Sequence, residues 1–179
     1  MQEISDVNTG QVVVKKGAAM LRAIAIGSCI VAAAYDPRTK NAGMSHIMLP
    51  GPAPQGSSEK TKSAFNSIEH LLNQMIESGS VFSDIEVCLV GAGNILRRED
   101  DTICQSNIQS VTAILVGKNI PVRASILGGY ERKSVFLDAQ NGCVSYSEGD
   151  GSVRLLWRPP DEAGACQSLR IDAPASEVR

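Results

Sequence analysis

The sequence has few of the residues from which most recognisable sites are built. Histidine occurs twice, at His46 and His70, and aromatic residues make up only 4% of the 179 residues. It contains no Cys-x-x-Cys pair, which disfavours the common zinc sites, and no basic run of the kind that binds nucleic acid. The apolar runs are too short to span a bilayer. These absences disfavour a zinc protein, a nucleic-acid-binding protein and a membrane-spanning protein, and they indicate an ordinary globular protein.

The length and the net charge also indicate an ordinary globular protein. A length of 179 residues suits one domain with a real core, and 17 basic against 19 acidic residues give a net charge of -2. Five cysteines, an odd number, disfavour a disulfide framework. The N-terminus lacks a basic start followed by an apolar stretch, so we expect a cytoplasmic protein. We expect residues 1–158 to form the domain and 159–179 a tail with the composition of a disordered segment.

Apolar periodicity predicts two helices among several strands. One helix covers 63–78 and ends before Gly79, and the other covers 106–119 with Ser106 or Asn107 as its cap. Strands are predicted at 11–16 and 84–93, within 122–129, and on both sides of the Asn141-Gly142 turn. The fold class is therefore mixed α/β (α+β), a single layered domain with mixed or antiparallel sheets and two main helices. The predicted core stripe of the first helix is Phe65, Ile68, Leu72, Met75 and Ile76.

The stretch AIAIGSCIVAAAYD places Gly27-Ser28-Cys29 between two apolar runs, which we interpret as two strands joined by a bend. The turn at 36–43 then leads into a partner strand at 44–49 that carries His46. The register of this hairpin brings Cys29 and His46 to one end of a sheet face. A cysteine nucleophile needs a base and oxyanion donors, and His46 and the amides of the bend meet those needs.

The residues alone leave a second interpretation open at each of these positions. Unpaired cysteine is most often a small core residue, as we expect for Cys88. A lone histidine such as His46 is likewise more often a hydrogen-bonded structural residue than a catalyst. His70 lies opposite the apolar stripe of its helix and is expected to be solvated. The segment VGAGNIL lacks the spacing of a phosphate loop, so we interpret it as a tight turn.

The segment IGSCIVAAAYDPRTKNAGMSHIMLP closely resembles the signature of the CheD family, the chemoreceptor glutamine deamidases. That signature is a Gly-Ser-Cys, an apolar strand, a Tyr-Asp-Pro turn and a Gly-Met-x-His-x-Met-Leu-Pro segment. The later segments VGAGNIL, SNIQSVTAILVGKNIPV and LGGYERKSVFLDAQNGCVSYS are similar to further family blocks. The resemblance covers roughly residues 10–148.

This resemblance implies a fold similar to that of the Cys-His deamidase toxins, with Cys29 as nucleophile and His46 as base. It implies hydrolysis of protein glutamine to glutamate and ammonia through a thioester, without cofactor or metal. Methyl-accepting chemoreceptor cytoplasmic domains are the implied substrates, and a CheC-type phosphatase is an implied partner. Gly27, Ser28 and Ser45 are the expected substrate-binding residues.

The sequence departs from the family pattern at two positions. The third catalytic residue of the family is a threonine six residues before the cysteine, and that position is Ala23 here. A main-chain carbonyl has the orienting role in the related toxins, so we assign Ala23 a main-chain role only. Ser45 stands where the family usually has asparagine. The alternatives are a weak or inactive docking module that binds a CheC-type phosphatase or receptor, and a different cysteine hydrolase such as a peptidase or thioesterase.

Overall fold

A computed structural model describes residues 2–160, and within that range the chain forms ten strands and two α-helices. Most of the predicted tail therefore lies outside the described residues. The strands are β1 Glu3–Asp6, β2 Val12–Lys16, β3 Ala19–Ile26, β4 Ile30–Asp36, β5 Asn41–Ile47, β6 Glu86–Gly91, β7 Val122–Leu127, β8 Lys133–Asp138, β9 Val144–Glu148 and β10 Arg154–Trp157; the helices are α1 Ala64–Glu77 and α2 Thr102–Gly117.

The strands form two five-stranded sheets. Sheet 1 has the order β1-β3-β8-β9-β10, and sheet 2 has the order β2-β5-β4-β6-β7. One apolar cluster fills the space between the sheets, and a second lies between sheet 2 and the two helices. The architecture is thus three layers of sheet, sheet and helices, and the predicted α+β class is confirmed.

Sheet 2 is the middle layer, so its central strands are buried on both faces. Every residue of β4 and β5 is buried, which explains why the sequence IVAAAYD shows no alternation of apolar and polar residues. Alanine and glycine in these strands let the layers approach closely. A Cβ at Gly43 would lie 2.6 Å from Leu71 Cδ1 on α1, so a side chain there would force the packed side chains of Leu71 and Met75 to shift.

The face that α1 buries is rotated from the predicted stripe. Phe65 and Ile76, predicted to be core residues, are 44% and 43% exposed. Ala64, Ser67 and Leu71 face sheet 2 in their stead. The small side chains of Ala64 and Ser67 allow the helix to lie close to the sheet. The buried residues of α1 are Ala64, Ser67, Ile68, Leu71, Leu72 and Met75.

Three other sequence expectations need correction. Helix α2 begins at Thr102 rather than at 106, because the Asp101 carboxylate accepts a hydrogen bond from Cys104 N at 3.2 Å and caps the helix. Strands β1 and β10 were not predicted; each is four residues long, which is too short to show a period. Cys143 is disulfide-bonded; an odd number of cysteines argues against a framework in which all are paired, but it does not exclude a single disulfide.

Candidate active site

The bend Gly27-Ser28-Cys29 is the point where the chain passes from β3 in sheet 1 to β4 in sheet 2. All three of its carbonyls accept hydrogen bonds. Gly93 N donates to Gly27 O at 2.8 Å, Ala92 N donates to Cys29 O at 2.7 Å, and Asn107 Nδ2 donates to Ser28 O at 3.0 Å. The bend is therefore held in one conformation by the turn after β6 and by helix α2.

The glycines of VGAGNIL explain how that turn approaches so closely. Gly91 has φ +132, and a Cβ there would lie 2.2 Å from Cys29 O. Only glycine fits this contact without strain and overlap. The sequence interpretation of a tight turn rather than a phosphate loop agrees with this geometry. The turn holds the backbone of the candidate nucleophile through the hydrogen bond from Ala92 N to Cys29 O.

The β4–β5 register places His46 on the same face as Cys29. His46 pairs with Val31, whose side chain lies between the two sheets, and Cys29 is two residues before Val31 and packs against the same cluster. The register is set by the turn after Asp36, whose carboxylate accepts hydrogen bonds from the backbone N–H of Arg38 and Thr39. The hairpin expected from the sequence is thus confirmed.

His46 is held in one tautomer. Its Nδ1 lies 3.0 Å from the carbonyl oxygen of Val7. Because a carbonyl only accepts hydrogen bonds, Nδ1 carries the proton in the neutral ring and Nε2 keeps a free lone pair. Burial lowers the pKa of His46, although the Val7 hydrogen bond opposes that effect. Neutral imidazole is therefore the form present near neutral pH.

Burial raises the pKa of the Cys29 thiol, and a hydrogen bond from the Thr9 side chain and the backbone amide of Cys29 itself partly offset the rise. Burial also raises the pKa of Cys88 and of Cys104 to about 12, and the Asp101 carboxylate contributes to the rise at Cys104. Among the three free thiols of the described residues, Cys29 is thus the only one that is not fully buried and whose pKa is not raised to about 12.

An open cavity of about 910 Å³ gives access to these groups. Its walls come from the β1–β2 connection, β3, the bend, the segment after β6 and the start of α2. The rim carries exposed apolar side chains, of which Leu96 is 74%, Ile24 56% and Ile103 40% exposed. Arg98 and Arg132 also line the cavity, and Arg132 Nη1 donates to Ala25 O at 3.0 Å. Such a mouth suits a segment of a protein rather than a small solute.

Five of the six residues predicted for the site line this cavity, namely Ala23, Gly27, Ser28, Cys29 and His46. Ser45 does not. It is fully buried on the opposite face of β5, where it pairs with Ala32 in the cluster beneath the helices. Since side chains alternate along a strand, a neighbour of His46 necessarily faces away from it.

Sequence analysis missed three residues that position the site. Val7 supplies the carbonyl for His46 Nδ1, where we had expected a main-chain group of Ala23. Thr9 lines the cavity, and its side chain lowers the pKa of the Cys29 thiol. Asn107, interpreted as a helix cap, is a fully buried residue inside α2, and its Nδ2 donates to Met48 O at 3.1 Å as well as to Ser28 O. A polar residue within an apolar helical stretch was the available signal for Asn107.

We predict that Asn107→Leu loosens the bend. Leucine has the same branching and the same number of side-chain heavy atoms, but it leaves the carbonyls of Ser28 and Met48 without their donor, so the free energy of unfolding falls by about 1–3 kcal/mol. Urea unfolding measures this loss, and iodoacetamide alkylates Cys29 several-fold faster in the loosened protein. The control is Asn73→Leu on the exposed face of α1. Equal stability of Asn107→Leu and wild type would show that the amide does not hold the bend.

Residues 2–160 contain no group of three or more histidine, cysteine or acidic side chains arranged to hold a metal ion. In the same part of the chain, neither helix has the length and apolarity needed to cross a membrane.

Comparison with known proteins identifies the family. The model for "CheD chemotactic sensory transduction" matches residues 48–148. A Chlorobium luteolum protein named probable chemoreceptor glutamine deamidase CheD is 33% identical over 150 residues, which are 83% of this chain and 75% of that protein. Proteins of the same name from Saccharophagus degradans and Archaeoglobus fulgidus are 35% and 30% identical, covering 94% and 80% of this chain and 80% and 93% of their own lengths. The chain that carries this Cys-His cavity therefore belongs to the CheD family.

Proposed function

We propose that this protein is a chemoreceptor glutamine deamidase that hydrolyses glutamine side chains to glutamate and ammonia. Family membership and the printed names of its relatives support the activity. The observation that carries it is the shared cavity, in which a half-buried thiol, Cys29, and an imidazole with a free Nε2, His46, lie on one sheet face. A thiol and a base are the two groups that amide hydrolysis through a thioester requires.

The reaction begins with two neutral groups. The pKa of Cys29 is raised and that of His46 is lowered, so a thiolate–imidazolium pair is not favoured before substrate binds. The proton passes from Cys29 Sγ to His46 Nε2 as Sγ attacks the carboxamide carbon. Val7 O holds the ring throughout, and it also stabilises the imidazolium that forms, because Nδ1–H donates to it more strongly when the ring is charged.

The tetrahedral intermediate carries a negative oxygen, which backbone N–H groups of the bend stabilise. The amide of Cys29 lies beside its own sulfur and is one of these donors. When the C–N bond breaks, the imidazolium gives its proton to the leaving ammonia and a thioester remains. His46 then takes a proton from water, the hydroxide attacks the thioester carbon, and glutamate is released as Sγ recovers a proton.

The substrate is the cytoplasmic domain of a methyl-accepting chemoreceptor, and the protein acts in the cytoplasm. The exposed apolar rim supports a macromolecular substrate, because a glutamine side chain must reach Cys29 while its own backbone stays at the mouth. A CheC-type phosphatase is proposed as a docking partner at the same mouth. The product is an anion in place of a neutral amide, which changes the electrostatics of the receptor surface.

Ammonia release from a soluble receptor cytoplasmic fragment tests this function. We expect wild-type protein to release ammonia in step with conversion of particular glutamines to glutamate, mapped by mass spectrometry. The control is the same fragment with those glutamines replaced by asparagine, whose shorter side chain does not reach the thiol. Binding of the fragment without ammonia release would instead favour the docking module, and turnover of peptide bonds or thioesters alone would favour another cysteine hydrolase.

A further inference from the structure

The connection between β1 and β2 forms a tight turn over residues 8–11, and Asn8 and Thr9 of this turn line the cavity. Gln11 N donates to Asn8 O at 2.9 Å, and Asn8 N donates to Gln11 Oε1 at the same distance. Gly10 occupies the third position with φ +81, a conformation that glycine adopts without strain. Thr9 therefore stands at the second position of a well-defined turn.

This turn is fastened to the strand that carries His46. Gly10 N donates to His46 O at 2.8 Å, and His46 N donates to Gln11 O at 3.0 Å. On the other side, Thr61 Oγ1 donates to Gly10 O at 2.6 Å. With the Val7 carbonyl on His46 Nδ1, the connection contacts both the backbone and the ring of the proposed base. The position of Thr9 relative to His46 is thus fixed.

Thr9 shares the cavity with the proposed nucleophile and with His46. The Thr9 side chain also lowers the pKa of the Cys29 thiol, against the effect of burial. Ala23, which stands at the position of the family's threonine, is buried between the sheets and has no hydroxyl to offer. Among the described residues that line the cavity, Thr9 and Ser28 are the two with hydroxyl side chains.

We propose that Thr9 is a positioning residue for the nucleophile, whose hydroxyl holds the Cys29 sulfur toward His46 and donates a hydrogen bond to the thiolate as it forms. This chain thereby keeps a threonine hydroxyl in its site although position 23 is alanine. The inference rests on the proposed function for its catalytic consequence, but the effect on the thiol itself is independent of any substrate.

The test is the pH dependence of iodoacetamide alkylation at Cys29, followed by mass spectrometry of the Cys29 peptide. Thr9→Val keeps the shape and removes the hydroxyl, so the alkylation midpoint rises by about 0.5–1 pH unit and the rate at pH 7.5 falls about three- to tenfold. Thr9→Ser restores the wild-type midpoint. Thr112→Val, on the exposed face of α2, changes nothing. Thermal melting confirms that the Thr9 variants are folded.

An unchanged midpoint in Thr9→Val overturns the proposal, as does a Thr9→Ser variant that behaves like Thr9→Val, because packing rather than the hydroxyl would then matter. With the receptor fragment, Thr9→Val lowers kcat with little change in KM. If the midpoint shifts as expected while no variant and no wild-type protein releases ammonia, the role of Thr9 at the thiol stands and the proposed deamidation fails. The two ideas therefore fail separately.

Discussion

Cys29→Ala is expected to reduce ammonia release from a receptor fragment to the uncatalysed level, a loss on the order of 10⁴-fold or more. Alanine removes the sulfur that forms the thioester, and none of the remaining groups lining the cavity replaces it. Cys104 lines the same cavity, but burial raises the pKa of its thiol to about 12. Its side chain is part of the core, and its Sγ lies 3.5 Å from Gly93 O. Continuous ammonia assays with saturating fragment measure the loss.

The matched control for this prediction is Cys104→Ala, which removes the neighbouring thiol of the same cavity. We expect Cys104→Ala to keep most of the activity, and Cys29→Ala to keep its fold, with a melting temperature within about 4 °C of wild type because Cys29 is only partly buried. The assignment of the nucleophile is wrong if Cys29→Ala releases ammonia normally while Cys104→Ala does not.

His46→Asn is expected to lower kcat by about 10²–10⁴-fold, the usual contribution of a positioned acid–base group. Asparagine is suited to this test because its Nδ2 can donate to Val7 O as histidine Nδ1 does, so the connection between β1 and β2 keeps its anchor. What asparagine lacks is the Nε2 lone pair that receives the thiol proton. The loss therefore reports the base itself and not a general loosening of the site.

The pH profile separates this role from a structural one. In wild type, kcat/KM falls on acidification as His46 becomes protonated, and because burial lowers its pKa, that fall lies below the value of about 6.5 typical of exposed histidine. In His46→Asn the fall in the pH range of the histidine is lost, and the residual rate rises only in the higher pH range where the Cys29 thiol ionises. An acid limb that persists unchanged in His46→Asn would mean that another group is the base.

The His46 shift also has a consequence for stability. A histidine whose pKa is lowered by folding binds fewer protons when the protein is folded. The stability that neutral His46 contributes is therefore fully present above the pKa that His46 has in the unfolded chain, and it is lost as pH falls from that value through the lower pKa of the folded state. The acid limb of activity and part of the acid instability thus have one physical origin, the burial of a neutral ring between the two sheets.

The departure at Ala23 is compatible with this site because the ring of His46 is oriented from elsewhere. Val7 lies on the β1–β2 connection, which leads from sheet 1 to sheet 2, and its carbonyl accepts a hydrogen bond from Nδ1–H. A main-chain carbonyl is present whatever the side chain, so no sequence motif reveals it. The role that a threonine hydroxyl has in the family pattern is here divided between the Val7 carbonyl at the base and the Thr9 side chain at the thiol.

The sequence by itself determined the family, the α+β class and the two groups proposed for the chemistry. The Gly-Ser-Cys bend and the Asp-Pro turn are local features, and a hairpin register follows from its turn, so the shared face of Cys29 and His46 was predictable from the sequence. The two amphipathic helices were recognisable for the same reason, since their periods span several turns.

Only the tertiary structure decided which other residues reach the site. Val7, Thr9 and Asn107 are between 20 and 78 positions from Cys29 along the chain, and they reach the site because two sheets and a helix pack at one end of β4. Such contacts leave no local period or motif. Likewise, the rotation of α1 follows from how closely layers of small side chains approach, which depends on both surfaces at once.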